Sequence, residues 1–244
     1  MTRRVLVTGG SQGIGLAIAH GCAASGDAVT VLSRRPPADA PELDHLRCDL
    51  RDAGAAAAAL SAHLARVGDR VDVLVHCACA YGSDRRHALA DSTAAEWDEA
   101  MDVNARGLLL TLRHVVPAMQ HRGRGLVIGL SSDVAGAPGP GRVAYAASKA
   151  AARAVLVGLA AELADDLRIL AVELAPLAQV DTPGLRRRRA QDFEPVGYAA
   201  PDCFVRPVRF LIEAPPARLR RHHGRCLWVD PAGGLHTDSG EVLA

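Results

Sequence analysis

Short runs of Val, Ile and Leu alternate with helix-length amphipathic stretches from the first residues onward, and that alternation admits few folds. A strand that is apolar at nearly every position has no side to show to solvent, so it belongs in a sheet covered on both faces. Strand, helix and strand in succession form the βαβ unit, whose crossover lays each helix on a parallel sheet. The expected strands are Arg4 to Thr8, Ala28 to Leu32, His45 to Cys48, Val71 to Cys77, Gly125 to Ser131, Ile169 to Ala175 and Arg225 to Val229. The expected helices are Gly13 to Ala24, Ala53 to Val67, Ala94 to Gln120 with a break near Gly107, Ala144 to Ala164 and Pro201 to Ile212. Ala55 to Ala59 reads as helix because alanine is the strongest helix former. The pattern predicts one α/β domain over residues 1–244, with a doubly wound seven-stranded parallel sheet. Such a sheet binds ligands beyond the carboxyl ends of its strands, where the strand order reverses.

Composition narrows the function classes. The formal net charge is +1 with both signs interspersed, so no strong field draws in nucleic acid or an anionic membrane surface. No apolar stretch reaches the roughly 20 residues of a membrane helix, and Arg3 and Arg4 lead into a strand instead of a cleavable leader. A cytoplasmic location is expected. Six scattered cysteines lack the spacing of a disulfide framework. His76, Cys77 and Cys79 raise the question of a metal, but side chains alternate along a strand. Cys77 and Cys79 would share one face with His76 on the other, and no metal site is expected.

The segment Val5 to Gly15 reads as a strand, a glycine-rich turn (Gly9, Gly10, Ser11, Gln12, Gly13) and a helix start at Ile14 and Gly15. Glycines allow a pyrophosphate to approach the backbone, and the helix amino terminus supplies free N–H groups and the positive end of a dipole. This is the opening of a Rossmann fold. An acidic residue about 20 positions further on would accept the ribose hydroxyls of NAD. Here the second strand runs instead into Ser33, Arg34 and Arg35. A hydroxyl and two guanidinium groups suit a 2′-phosphate, which favours NADP(H); the alternative is two arginines on a solvated loop before Pro36. Cys48, Asp49 and Leu50 close the third strand, where an adenine edge would lie.

Lys149 is the only lysine in the chain, beside twenty-seven arginines that make up the rest of its 28 basic residues. An ammonium on a flexible stem can hold a sugar hydroxyl and bias a neighbouring phenol in ways a rigid guanidinium fork cannot. Tyr145 stands four residues earlier, and i, i+4 spacing puts both on one helix face. Ser132 ends the preceding strand, and Asn104 lies in the long helix after the fourth strand. Together they compose a proton-transfer site beside a dinucleotide crevice.

With Thr8-Gly9-x-x-x-Gly13-x-Gly15, Asp49-Leu50, Asn104, Ser132, Tyr145-x-x-x-Lys149, Ala175-Pro176 with Val180-Asp181-Thr182, and Trp228-Val229-Asp230, the chain resembles the short-chain dehydrogenase/reductase family over nearly its whole length. The resemblance implies that Tyr145 is the general acid in carbonyl reduction and the base in alcohol oxidation. It implies that Lys149 binds the nicotinamide ribose and stabilises the tyrosinate, that Ser132 bonds the substrate oxygen, and that Asn104 holds a water extending the proton relay. A phenol with ordinary pKa near ~10 needs a nearby cation to act at neutral pH. By the same resemblance Cys77, Ala78 and Cys79 pass the cofactor ribose, and Pro176, Val180 and Thr182 lie over the nicotinamide.

Three departures stand out. His76-Cys77-Ala78-Cys79 replaces the family's Asn-Asn-Ala-Gly, putting a side chain where a glycine backbone usually passes the ribose. Leu177 replaces the glycine after Pro176, which should alter the roof over the nicotinamide. Asp230-Pro231-Ala232-Gly233-Gly234 replaces Asp-Gly-Gly and should affect mainly the final turn.

Residues 177–200 form the longest stretch without clear structure and are expected to be a lid over the substrate. They include Arg186-Arg187-Arg188-Arg189, which reads either as a solvated loop or as a dock for an acidic partner or phosphate-bearing substrate arm. With Tyr81, Val134 and Arg142 this segment should set substrate choice. Two Trp, three Tyr and three Phe are too few for an aromatic cage, so an aliphatic pocket is expected. The reading is an NADPH-dependent reductase of a small-molecule ketone (or dehydrogenase of the alcohol), acting as a homodimer or homotetramer. A 3-oxoacyl carrier-protein reductase, with a carrier-bound substrate, shares every motif; a non-catalytic NADP sensor or scaffold is the alternative of another class.

Overall fold

The computed structural model describes residues 2–37, 40–165 and 168–244. The elements in order are β1 (Arg4–Thr8), α1 (Gly13–Ala24), β2 (Ala28–Ser33), β3 (Asp44–Arg47), α2 (Ala53–Val67), β4 (Val73–His76), α3 (Ala94–Met101), α4 (Gly107–Arg122), β5 (Gly125–Leu130), α5 (Val143–Glu162), β6 (Ile169–Pro176), α6 (Pro183–Arg186), α7 (Val205–Glu213), α8 (Pro216–Leu219), β7 (Cys226–Val229) and β8 (Leu235–His236). All seven expected strands are present, with ends shifted by a residue or two.

The sheet order is β3-β2-β1-β4-β5-β6-β7-β8. The first seven strands pair in parallel, and β1 lies between β2 and β4. The chain therefore reverses its winding at β1, which opens a crevice at the carboxyl ends of β1 and β4. The eighth strand was not expected and pairs antiparallel with β7. The Asp230 carboxylate builds it, accepting the amides of Ala232 at 2.9 Å and Gly234 at 2.8 Å in the turn that sends Leu235 back along β7.

The continuous apolar runs split by residue parity between two cores. Val5, Val7, Val73, Val75 and Ile128 face one side of the sheet with Ile18 of α1 and Val208 of α7. Leu6, Leu74 and Val127 face the other with Leu60 of α2, Leu112 of α4 and Leu156 of α5. Each fully buried side chain of this kind contributes about 1.5–3 kcal/mol relative to exposure. Local signals set the helix ends. Asp52 caps α2 by accepting the Ala55 amide at 2.9 Å, and Gly68 ends it at φ 66°. Thr93 and Glu96 form a capping box at the start of α3.

The expected break near Gly107 is a π-turn over Asp102–Arg106 that joins α3 to α4, while Gly107 itself stays helical at φ −61°. Helix α5 is long and apolar enough to cross a membrane by length and composition, contrary to the expectation that no stretch would be. Its alanines supply that hydropathy, and Ala152, Leu156 and Ala160 lie in the core between helices and sheet.

Candidate active site

The crevice begins at the β1–α1 turn. Gly9 sits at φ +69°, and a Cβ there would lie 2.6 Å from the Ala78 backbone; one at Gly15 would lie 2.5 Å from the Gly9 carbonyl. Only glycine allows β1, β4 and α1 to close this tightly. The side chain of Gln12 makes no cap for α1 and the first turn carries no acidic residue, which leaves its amides for an anion. This cradle fits a pyrophosphate.

At the end of β2 the Ser33 hydroxyl donates to the Arg35 carbonyl at 2.7 Å and meets the His45 ring at 3.2 Å, while Arg34 and Arg35 are exposed. The neighbouring carboxylate is Asp49. Arg51 grips it with contacts of 2.7 to 3.1 Å and holds its carboxyl below the usual range, with a smaller contribution from Arg34. Its charge is thus compensated by the neighbouring guanidinium groups. Cys48 is buried beside it, its thiol pushed up to about 11 by burial and then by Asp49. Buried Leu50 packs against Gly107.

Tyr145 and Lys149 occupy the first turns of α5, and both are buried. The Lys149 Nζ donates to the Leu130 carbonyl at the end of β5 at 2.8 Å and lies 6.0 Å from the centre of the Tyr145 ring. Burial pushes the Tyr145 phenol well above its ordinary value, Cys79 and Tyr81 add to this, and a hydrogen bond with Ser132 opposes it. Ser132 lies two residues beyond the end of β5, and its hydroxyl donates to Asp133 Oδ1 at 2.7 Å. The Tyr81 ring leans on that of Tyr145, centroids 4.8 Å apart at 40°.

Asn104 lies one layer deeper, in the π-turn, where an extra residue per turn rotates its side chain inward. Its Oδ1 accepts the Ala80 amide at 2.7 Å, and its Nδ2 donates to the Ala80 carbonyl at 2.7 Å and the Ser148 hydroxyl at 2.8 Å. Asn104 therefore clamps the chain after β4 to α5 through Ala80 and Ser148.

The altered end of β4 is accommodated. His76 is buried, with Nδ1 3.0 Å from Thr8 Oγ1, and that oxygen also accepts the Ala78 amide at 3.2 Å. Cys77 packs against Gly15, and Cys79 is exposed beside Tyr145.

Tyr145, Ser132, Pro176, Val180, Thr182 and Ile14 line one cleft, of ≈ 720 Å³ including its solvent-filled mouth. Ser33 to Arg35 and Cys48 to Leu50 lie outside it, along the same sheet edge. The segment 177–200, expected to be a lid, carries more regular structure than its sequence implied. Thr182 caps α6 by accepting the Leu185 amide at 3.1 Å, and Val180 bridges to Ala199. Leu177 does not roof the cleft: its amide donates to Val229 while its side chain is turned out, 55% exposed, and Gln179 lines the cleft in its place. Three lining residues escaped the sequence reading, Ser131 among them as no more than the expected end of a strand. Asp133 was marked only by adjacency to Ser132, and Arg86 sits unsignalled in a polar loop.

Comparison with known proteins agrees with this geometry. Residues 3–192 match the short chain dehydrogenase family. D-xylose 1-dehydrogenase of Caulobacter vibrioides is 38% identical over 182 residues, 70% of each chain. Among solved structures, a 3-oxoacyl (acyl-carrier-protein) reductase of Agrobacterium tumefaciens with NADP bound superimposes with a TM-score of 0.80 at 29% identity, covering 94% of this chain and 93% of its own. A gluconate 5-dehydrogenase of Burkholderia cenocepacia in complex with NADP and tartrate gives 0.81 at 28% identity, covering 95% and 94%. A glycine cradle at the reversal of a doubly wound sheet, a buried Tyr145–Lys149 pair beside Ser132, and matches of this length have one common account: the chain belongs to the short-chain dehydrogenase/reductase family, whose members are nicotinamide-dependent oxidoreductases.

Proposed function

We propose that this protein reduces a ketone to a secondary alcohol with NADPH. The observation that carries the reading is the Tyr145 phenol, kept protonated by burial and set against Ser132 on the wall of an open cleft. Tyr145 gives its proton to the substrate oxygen as charge develops there, and Ser132 holds that oxygen in line by a second hydrogen bond. The Ser132 hydroxyl must then turn from Asp133. Lys149, already buried, holds the nicotinamide ribose and stabilises the phenolate left behind. Bound NADPH supplies the hydride. The first turn of α1 holds the pyrophosphate, Cys77 to Cys79 flank the ribose, and Pro176, Val180 and Thr182 cover the nicotinamide.

Arg34 and Arg35, the compensated Asp49 and the lack of a carboxylate at the end of β2 support NADP(H) over NAD(H). The NADP-bound reductase and gluconate dehydrogenase structures support the same choice. Exposed Leu109 on α4 and Val157 on α5 support association of copies through these helices, as a homodimer or homotetramer. The test is loss of NADPH absorbance across a ketone panel, with NADH in parallel. Turnover with NADPH well above NADH is expected. No oxidation of NADPH by any ketone, and no reduction of NADP⁺ by the alcohols, would refute the reading.

A further inference from the structure

The reaction above does not explain why four guanidinium groups, those of Arg86, Arg142, Arg188 and Arg189, line the same cleft. The one carboxylate lining it among the described residues, Asp133, accepts the Ser132 hydroxyl. No carboxylate among the described residues pairs with any of the four. The lid divides the arginine run. Arg186 is held by Asp181 through two contacts of 2.6 Å, and Arg187 reaches Gln12 at 3.3 Å on the exposed side. Arg188 and Arg189 turn inward.

Arg188 lies over the Tyr81 ring, Cζ 4.2 Å from its centre, and is anchored by Nε to the Ser83 carbonyl at 2.6 Å. Its terminal nitrogens donate to no acceptor among the described residues. Arg189 reaches the Tyr198 hydroxyl at 3.4 Å, and its Nε is buried without a partner among the described residues. Arg142 and Arg86 are brought together across Gly141, where a Cβ would lie 2.9 Å from that of Arg86. A charged donor withdrawn from water without an acceptor, as the Arg189 Nε is, is costly, so a site that sets it beside three further guanidinium groups, of which Arg86 is exposed and Arg142 and Arg188 are half-buried, is matched to an anion arriving with the substrate.

We propose that Arg188 and Arg189, flanked by Arg142 and Arg86, form a subsite for the carboxylate of a small keto acid or the corresponding hydroxy acid. The proposal rests on the reductase reading of Tyr145 and names its substrate class. Guanidinium forks match the planar carboxylate through paired hydrogen bonds. The span decides against a carrier-bound substrate: only the Tyr81 ring separates Arg188 from Tyr145, whereas the phosphate of a pantetheine arm lies a long chain away from its carbonyl.

The test compares kcat/KM for a short keto acid, its methyl ester and a phosphate-bearing ketone of similar length. Calorimetric titration of malonate, which has no ketone to reduce, into the protein with NADP⁺ is run alongside. The wild type should prefer the acid over the ester by about tenfold or more, as one charge-assisted hydrogen bond implies. That ratio should fall toward one in the R188Q/R189Q variant and persist in R186Q. Malonate should bind the wild type and not the double variant. If the double variant fails to fold, R188K, which keeps the charge and loses the fork, should still lower the ratio. An acid-to-ester ratio near one, no malonate binding, or preference for the phosphate-bearing ketone would each overturn the proposal. Malonate binding lost in R188Q/R189Q, with no ketone turned over by the wild type, would uphold the subsite and remove the reductase reading instead.

Discussion

Replacing His76 with Asn should make the protein less sensitive to acid. His76 closes β4 with 4% of its surface exposed; its Nδ1 meets Thr8 and its Nε2 has no partner among the described residues. Burial, and then the charge of Lys149, push the imidazole down to about 3, against about 6.5 in an unfolded chain. Because the folded value is depressed, the unfolded chain takes up a proton that the native protein refuses. The contribution of neutral His76 is complete above the unfolded value and is lost as pH falls from about 6.5 toward about 3. Each unit in that window removes about 1.4 kcal/mol, so acidification from about pH 7 to about pH 5 costs about 2 kcal/mol. For a domain of this size that lowers Tm by roughly 4–8 °C. His63 and His222 are also depressed, by burial first, and act in the same direction, so the quantity to read is the difference between wild type and H76N. Urea unfolding at a series of pH values gives it directly. The wild type should lose about 2 kcal/mol more than H76N over that interval; equal losses would mean that His76 carries a proton in the native protein, and the reasoning fails.

Two further outcomes follow from the site. Arg34→Ala should raise the KM for NADPH about tenfold or more and leave that for NADH little changed, as loss of a charge-assisted bond to a 2′-phosphate requires; steady-state kinetics with both nucleotides checks it. Because burial holds the Tyr145 phenol above its ordinary value, kcat/KM for ketone reduction should stay level through neutral pH and fall only in strong alkali, while alcohol oxidation should rise with pH as the phenolate forms.

The crevice was legible in the sequence because its parts are local. The glycine turn lies between a strand and a helix, and Tyr145 and Lys149 are fixed on one face by helical period. What escaped depended on contacts distant along the chain or on identical side chains. Thr8 and His76 meet across 68 positions. The break between α3 and α4 was expected near Gly107, but a glycine does not show that the break is a π-turn over Asp102–Arg106 with Gly107 itself helical. A strand of two residues, Leu235–His236, is too short to show any alternation. Four consecutive arginines carry no sign of which pair turns inward; α6 and its Thr182 cap decide that.

The measurement that bears most directly on the account is the Tyr145→Phe variant, read for NADPH binding and for turnover in the same preparation. The ring still fills the space beside Tyr81, so NADPH affinity should be retained, while kcat should fall about 10²–10⁴-fold as the proton donor is lost. Retained binding with near-wild-type turnover would remove Tyr145 from the chemistry and contradict the mechanism.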